Sequence, residues 1–346
     1  MKAEAKTAVS AKESARMRNK KSGGYVARAR AKSLLISVVR GLLLFGLCFM
    51  IIQPMLTRFG TSLMEERDLY DSTIVLLPRH VTLDNFRIVF DLTTFPKSMI
   101  NTVWSSLLVS LLQVISCTLV GYGFARYDFP LKKFWFACVV ALIIIPPQTI
   151  STAMYLVFAQ FDILPLKPFG GKGILELITG NTLNLRGSVL PYALMSLTCM
   201  GLKDGLYIYM LRQYFQGIPK SLEEAAYVDG CNTMHTFVRI MLPDALPTIA
   251  SCFLFSFVWQ WTDLFYTRNF LAVQSRPLFS TELSTIVSRM SRYFSSDASK
   301  PIIVPAGRQQ QLISIGVLVC CIPLIILYCF TQKTFVQSIA MSGSKE

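Results

Sequence analysis

The sequence has few charged residues and almost no histidine. Of its 346 residues, 16% are charged, two are His and 53% are hydrophobic, whereas a soluble domain carries about 25% charged residues. This deficit excludes an ordinary soluble enzyme, and the apolar content excludes a disordered chain. No HExxH or GxSxG pattern occurs, and both His80 and His235 lie outside the apolar stretches. We therefore predict a membrane protein that is not itself an enzyme.

The chain also lacks the cysteine pattern of a disulfide-rich or metal-binding protein. Eight of the nine cysteines lie in long apolar runs, and Cys231 stands alone in a polar segment. Neither a disulfide framework nor a CxxC metal site is spelled out, so we interpret the cysteines as packing residues and expect no metal. A nucleotide loop is missing as well. The glycine-rich stretch 170–173 lacks the first Gly and the Ser/Thr of a phosphate-binding loop.

Long apolar runs are what the sequence does contain. Six stretches approach or exceed the roughly 20 residues that a bilayer-spanning helix needs, and only helices satisfy the backbone within lipid without a closed barrel. We predict an all-α polytopic protein whose six transmembrane helices cover residues 34–56, 99–125, 134–158, 188–211, 246–266 and 311–331. Four prolines interrupt these stretches and mark either packing kinks or hinges: Pro146, Pro147, Pro191 and Pro323.

Charge sets the expected orientation. The net charge is +14, and residues 1–33 hold ten Lys/Arg against two Glu, which favours a basic tail at an anionic cytoplasmic membrane surface over a nucleic-acid-binding arm. Residues 34–56 then form the first span, 57–98 an extracytoplasmic loop, 99–331 the transmembrane core and 332–346 a cytoplasmic tail. The positive-inside bias is modest. Loop 267–310, predicted to be external, runs against it with six Lys/Arg and two acids.

The segment 219–243, cytoplasmic in this orientation, carries the most specific signal. Ser221 followed by Glu224 forms a capping box, which predicts a short helix that starts near Leu222. Gly230 then allows a turn with positive φ.

A second, amphipathic helix is expected after this turn. Its apolar face contains Phe237, Ile240 and Met241, and Pro243 is expected to end it. Such a compact helical pair suits a groove on a partner protein, although composition alone also allows an ordinary surface loop.

Spacing decides between these two interpretations. The segment resembles the EAA motif of ABC importer permeases in its spacing. Glu224-Ala225-Ala226 is followed after three residues by Gly230, after nine more by Ile240, and after one more by Leu242-Pro243. Four further stretches are similar to carbohydrate-importer permeases of the MalG-like type: TLDNFRIVF (82–90), GYGFARYDFP (121–130), IIPPQTISTAMYLVF (144–158) and FSFVWQWTDLFY (255–266). The loops 162–187 and 267–310 depart from that pattern.

The resemblance implies the type I ABC importer permease fold in a bacterial cytoplasmic membrane, with both termini cytoplasmic. It also implies a second, MalF-like permease, two ATP-binding subunits that hold ATP and Mg, and an extracytoplasmic solute-binding protein that delivers a sugar or oligosaccharide. No nucleic-acid partner is expected. Nine residues are carried over to contact with the ATPase, with the two glutamates facing its basic residues: Glu223, Glu224, Ala225, Ala226, Asp229, Gly230, Ile240, Leu242 and Pro243.

Polar and aromatic residues within the spans are candidates for the substrate pathway. A charge at the centre of a span costs about 2.5–3.5 kcal/mol, so Lys203 and Asp204 are expected to face water or another subunit, unless the helix begins only at Gly205. Aromatic side chains in spans are otherwise packing residues or interfacial anchors. The candidates are Asn101, Gln113, Gln148, Lys203, Asp204, Tyr207, Trp259, Gln260 and Asp263.

Two other functions share part of this pattern. An importer of a non-sugar solute would keep the 219–243 motif, and only the flanking similarity favours a sugar. A secondary transporter or channel would also have six spans, but it would not need a helix–Gly–helix segment with this spacing.

Overall fold

The chain folds almost entirely into helices. The computed structural model describes residues 2–71, 73–74, 77–163, 173–271, 276–295 and 302–343, with only the backbone for residues 2–31, 177 and 334–343. Residues 170–172 of the glycine-rich stretch and parts of loops 162–187 and 267–310 therefore lie outside the described residues. Within the described residues, pairing between extended segments is limited to two isolated bridges, Met64–Val81 and Phe161–Leu183.

Fourteen α-helices are formed by the described residues. In chain order they are α1 (Lys2–Ser62), α2 (Asp84–Leu92), α3 (Lys97–Arg126), α4 (Lys132–Ile144), α5 (Pro147–Ala159), α6 (Ile174–Thr179), α7 (Leu190–Leu197), α8 (Asp204–Gly217), α9 (Lys220–Val228), α10 (Thr233–Thr236), α11 (Leu242–Thr262), α12 (Phe279–Ser284), α13 (Ile286–Tyr293) and α14 (Ala306–Gly343). A 3₁₀ turn covers Glu66–Tyr70. Two π-helical turns cover Phe237–Met241 and Thr267–Leu271.

The six predicted spans take three forms. Among the described residues, four continuous helices are long and apolar enough to cross a membrane: Lys32–Ser62, Lys97–Arg126, Thr233–Thr262 and Ala306–Lys333. The predicted third span is the pair α4 and α5, bent by 105°. The predicted fourth span, 188–211, is interrupted between α7 and α8. This arrangement is compatible with six crossings.

Proline explains the bend in the third span. Ile145, which precedes Pro146, is extended at ψ 120°, and Pro146 is extended at ψ 140°, because the ring of a proline disfavours the helical conformation at the residue before it. Pro147 then occupies the first turn of α5, where a missing N–H costs nothing. Pro191 likewise starts a helix, α7.

The predicted boundary between a basic tail and the first span is absent from the backbone. Residues 2–33 continue into the first span as one helix, α1. The side chains of residues 2–31 lie outside the described residues. From Lys32 to Ser62 the helix buries almost none of its apolar surface against the rest of the chain.

Helix α3 is the centre of the bundle, where it packs against α7, α8 and α11. Its contact with α8 is close because Gly121 has no side chain, and a Cβ there would lie 2.9 Å from the Cβ of Leu211. Small residues are the usual means by which membrane helices approach one another. A fully buried cluster forms around this contact, with Cys117, Tyr207 and Phe215 among its members.

A second core lies at the other end of the molecule. Helices α2, α12 and α13 cover the beginning of α14 and bury Val89, Phe279 and Met290. The preceding loop is anchored by Asp68, whose carboxylate accepts hydrogen bonds from the backbone N–H and the Nδ1 of His80, each at 2.8 Å. These contacts hold the pKa of Asp68 below its ordinary value, with the side-chain bond from His80 as the largest cause.

Candidate functional site

The segment 219–243 forms a compact helical turn. Helix α9 ends in a Schellman motif, in which Cys231 N donates to Ala226 O at 2.9 Å and Gly230 N donates to Tyr227 O at 3.1 Å. Gly230 adopts φ +84°, as expected from the sequence. Helix α10 then begins with Asn232 as its cap, because the Asn232 side chain accepts a bond from His235 N at 2.8 Å.

Two local predictions for this segment were wrong. The first helix begins at Lys220, after Pro219, and no side-chain capping bond is formed, so Ser221 lies within the first turn and is not the cap. Pro243 does not end the second helix, which runs on from Thr233 to Thr262. The π turn explains this continuation, because Leu242 N donates to Phe237 O and the next residue, Pro243, then sits at the start of α11, where its missing N–H is tolerated.

One glutamate of the motif faces its own chain. Glu223 is buried, with its Oε1 3.3 Å from Arg126 Nε and 3.1 Å from the hydroxyl of Tyr122, which donates to it. Arg126 in turn donates to Ile218 O at 2.8 Å. The prediction that Glu223 faces a partner was therefore wrong in its orientation, because this carboxylate balances a buried arginine at the end of α3.

The rest of the motif presents two different surfaces. Glu224, Ala225, Asp229, Gly230 and Pro243 are exposed, Ile240 and Leu242 are half-buried, and Ala226 is buried. The side chains of Phe237 and Met241 pack into the core around α3 and α8. The segment is thus fixed to the bundle on one side and leaves Glu224 and Ala225 of α9 exposed on the other.

A cavity of about 600 Å³ opens on one face of the bundle, and many of its lining residues are exposed. It is lined by residues from three places where helices break or end: the bend between α4 and α5 (142–150), the turn before α8 (200–205) and the end of α11 (259–266). Irregular backbone at membrane depth is tolerated where it is buried in protein or lines a cavity. The proline pair at 146–147 was the sequence signal for one of these breaks. The break at 198–203 had a weaker signal, the adjacent charges of Lys203 and Asp204, which left open a helix start at Gly205.

Four of the nine predicted pathway residues line this cavity: Gln148, Lys203, Trp259 and Asp263. Trp259 is 46% exposed, and the Nζ of Lys203 lies 5.0 Å from the centroid of its ring. Lys203 immediately precedes α8, in a left-handed conformation at φ +68°. Helix α8 thus starts at Asp204, one residue before the alternative start at Gly205, so Lys203 lies in the turn.

Both oxygens of the Asp263 carboxylate accept hydrogen bonds from neighbouring groups of the same chain. Its Oδ2 accepts bonds from the Tyr192 hydroxyl at 2.8 Å and from Thr267 N at 3.0 Å. Its Oδ1 accepts from the backbone N–H groups of Phe265 and Tyr266. Asp263 therefore anchors the chain after α11 and has little capacity left for a ligand.

The other five predicted pathway residues do not line this cavity. Gln113 donates to Leu202 O at 2.6 Å and accepts from Ser256 Oγ. Asp204 is buried and accepts from Gly201 N at 2.5 Å, and Asn101 donates to Pro277 O at 3.0 Å. Tyr207 and Gln260 are buried. Their contacts hold helices and turns together.

Comparison with known proteins places these two features in one region. Residues 117–340 match the family described as binding-protein-dependent transport system inner membrane component. The chain belongs to this family. The match begins within α3 and includes both the segment 219–243 and all the residues that line the cavity, so both are parts of the transport region of a permease.

Curated relatives of this permease cover most of its length. It is 25% identical over 303 residues to the arabinooligosaccharides transport system permease protein AraQ of Halalkalibacterium halodurans, a match that covers 86% of this chain and 93% of the relative. It is also 25% identical over 264 residues to the maltodextrin transport system permease protein MdxG of Bacillus subtilis, with coverage of 76% and 81%.

A solved structure shows the same fold. The permease resembles a chain of the crystal structure of a bacterial ABC transporter involved in the import of the acidic polysaccharide alginate, with a TM-score of 0.63 and 16% sequence identity. The match covers 87% of this chain and 96% of the other. At this identity the likeness concerns the fold, and it confirms the predicted all-α permease fold.

Proposed function

We propose that this permease is one membrane subunit of an ATP-driven importer of a sugar or oligosaccharide. Membership of the family supports a transport role, and the relatives named for arabinooligosaccharides and maltodextrin support the substrate class. ATP and Mg²⁺ would be held by partner subunits, and hydrolysis would take place there. A solute-binding protein would deliver the sugar, and a second permease would complete the pathway.

The observation that carries this proposal is the solvent-exposed side of the segment 219–243. Glu224 and Ala225 are exposed on α9, while the Schellman turn at Gly230 and the continuous helix from Thr233 to Thr262 join α9 rigidly to a span. A rigid helical turn that is continuous with a membrane helix transmits a movement of a bound partner protein to the helix bundle. Ala225 has a short side chain, which permits close approach, and Glu224 suits a basic groove.

The distance between the two features suits coupling over a membrane half-thickness. Helix α8 has 14 residues and joins the cavity to α9, so the cavity lies about 20 Å from this segment at 1.5 Å per residue. The hydrocarbon core is about 30 Å thick. With 219–243 at the cytoplasmic surface, the cavity falls near the bilayer midplane, where transporters bind substrate beside broken helices.

Uptake by variants of the solvent-exposed side tests this role. The full transporter is assembled with Glu224→Lys or Gly230→Pro, and sugar uptake is compared with membrane insertion and with ATPase association. We expect both variants to insert and to lose uptake, because the first reverses the charge that faces the partner and the second forces φ near −65° where +84° is needed.

Asp91→Lys serves as the matched control. It makes the same change of charge at an exposed residue of α2, far from the segment, and should leave uptake intact. Normal sugar uptake by either Glu224→Lys or Gly230→Pro would overturn the proposed role of 219–243.

A further inference from the structure

We propose that the cavity between α4, α8 and α11 takes an acidic sugar, with the ammonium of Lys203 paired to the sugar carboxylate and the Trp259 ring stacked on the sugar face. The proposal narrows the proposed function and rests on it. It depends on three features at this cavity: the ammonium of Lys203, the exposed ring of Trp259, and the carboxylates of Asp204 and Asp263, which already accept hydrogen bonds within the chain.

Lys203 supplies a cation without an acidic partner. Among the described residues, no carboxylate forms an ion pair with its Nζ, which lies over the ring of Trp259 in a cation–π contact at the cavity wall. An ionisable residue at membrane depth is costly and is commonly found facing a polar path or a ligand. Its backbone is also held at φ +68°, a conformation that costs a non-glycine residue about 1–3 kcal/mol. The structure tolerates this cost at a position where the side chain of Lys203 lines the cavity.

Neither Asp204, which follows Lys203 in the sequence, nor Asp263, which lines the cavity wall, neutralises Lys203. Asp204, the next residue, turns away and binds Gly201 N and the thiol of Cys117. Asp263 contributes a negative charge to the wall, but hydroxyl and backbone donors surround both of its oxygens. These donors stabilise the charge of Asp263 and use up its capacity as an acceptor. The ammonium is the polar group left to select a ligand by charge.

Trp259 supplies the second part of the recognition. Its ring is 46% exposed, although the next indole along the chain, Trp261, is fully buried. A sugar ring presents a C–H face that packs on an aromatic ring, and a uronic acid adds a carboxylate at the edge of that face. Since Lys203 Nζ lies over the Trp259 ring, 5.0 Å from its centroid, a sugar residue that packs on the exposed part of the ring can bring its carboxylate to the ammonium. The cavity, about 600 Å³, is within the range of small-molecule sites.

Binding of matched charged and neutral sugars tests the inference. The complete transporter, purified into nanodiscs, is titrated with digalacturonate, diglucuronate and dimannuronate, and with the methyl ester of each, and the heat of binding is recorded by isothermal titration calorimetry. The ester keeps the shape and removes the charge. We expect at least one acid to bind roughly 10- to 100-fold more tightly than its ester, the range expected for a hydrogen bond to a charged group.

Variants then assign that preference to the cavity. Lys203→Gln should abolish the difference between acid and ester, Lys203→Arg should retain most of it, and Trp259→Ala should weaken acid and ester by similar factors. Lys133→Gln, which removes an exposed cation at the start of α4 away from the cavity, should change neither affinity. Size-exclusion chromatography of each complex checks that it remains assembled.

Three outcomes would overturn the inference. The first is failure of every acidic probe to bind. The second is an acid preference that survives Lys203→Gln. The third is an equal loss of acid and ester binding in that variant, which would mean that Lys203 supports the assembly. If neutral maltotriose binds or is imported while the acids are not, the proposed sugar-import function stands and only the acidic class fails. If no sugar of either class binds or is imported, the proposed function itself fails.

Discussion

At the scale of single residues, the buried pair Arg126–Glu223 determines how the segment 219–243 is held. Their side chains are 5% and 11% exposed, and they join the last turn of α3 to α9. A buried ion pair adds little net stability compared with apolar residues of similar size, but removal of one partner leaves a buried charge uncompensated. The pair therefore fixes the position of α9 against a membrane helix. Its disruption should be felt as a loss of stability.

A double-mutant cycle tests this pair. Arg126→Met should cost about 3–5 kcal/mol, because Glu223 stays buried with only the Tyr122 hydroxyl beside it. The combined variant Arg126→Met with Glu223→Leu should lose less than the sum of the two single variants. Thermal unfolding of the purified protein in detergent measures all three.

Arg239→Met is the control for this cycle. It removes an exposed cation from the same segment and should change stability by no more than about 0.5 kcal/mol. Additive losses in the cycle would show that Arg126 and Glu223 act independently.

At the scale of helices, glycine determines how closely α8 approaches α4. A Cβ on Gly205 would lie 2.7 Å from Val139 O and 3.0 Å from Ile143 Cγ1. Gly205→Ala should therefore push the helices apart and cost about 1–3 kcal/mol, the usual penalty for overpacking. The fall in the thermal unfolding midpoint measures this loss.

Gly123 in α3 offers a control of opposite sign. It also lies in a helix, but a Cβ there would meet nothing within 4 Å. Gly123→Ala should stabilise the protein by about 0.5–1 kcal/mol through helix propensity alone. If Gly205→Ala proved as stabilising as Gly123→Ala, the close contact between α4 and α8 would be wrong.

These helices also show what the sequence can and cannot predict. Apolar length predicted α3 within a few residues, 99–125 against Lys97–Arg126, because hydrocarbon thickness sets the length of a spanning helix. The bend at Pro146 and the turn at Gly230 follow from backbone chemistry local to one or two residues. By contrast, the break before Asp204 and the continuation through Pro243 depend on neighbouring helices and on a π turn. Tertiary contacts likewise direct Glu223 inward and remove Gln113 from the cavity.

At the scale of the whole molecule, one long helix separates two surfaces. The helix from Thr233 to Thr262 has 30 residues and is therefore about 45 Å long, enough to pass from one membrane surface to the other. The segment 219–243 lies at its beginning, and α12 and α13 follow its end. The basic residues of α13 therefore belong to the face opposite the segment 219–243, although positive charge generally favours the cytoplasmic side.

Thiol labelling on the two faces tests this orientation. Cys231 is partly exposed beside Gly230, and Ser288→Cys would place a thiol on the exposed side of α13. A membrane-impermeant maleimide, with labelled peptides identified by mass spectrometry, should modify Cys231 only in inverted vesicles and the thiol of the Ser288→Cys variant only in right-side-out vesicles. Cys231→Ser provides the control peptide. Modification of Cys231 from the outside would place the segment 219–243 beyond the reach of a cytoplasmic ATPase, and the proposed coupling would then be impossible however well the segment matches its motif.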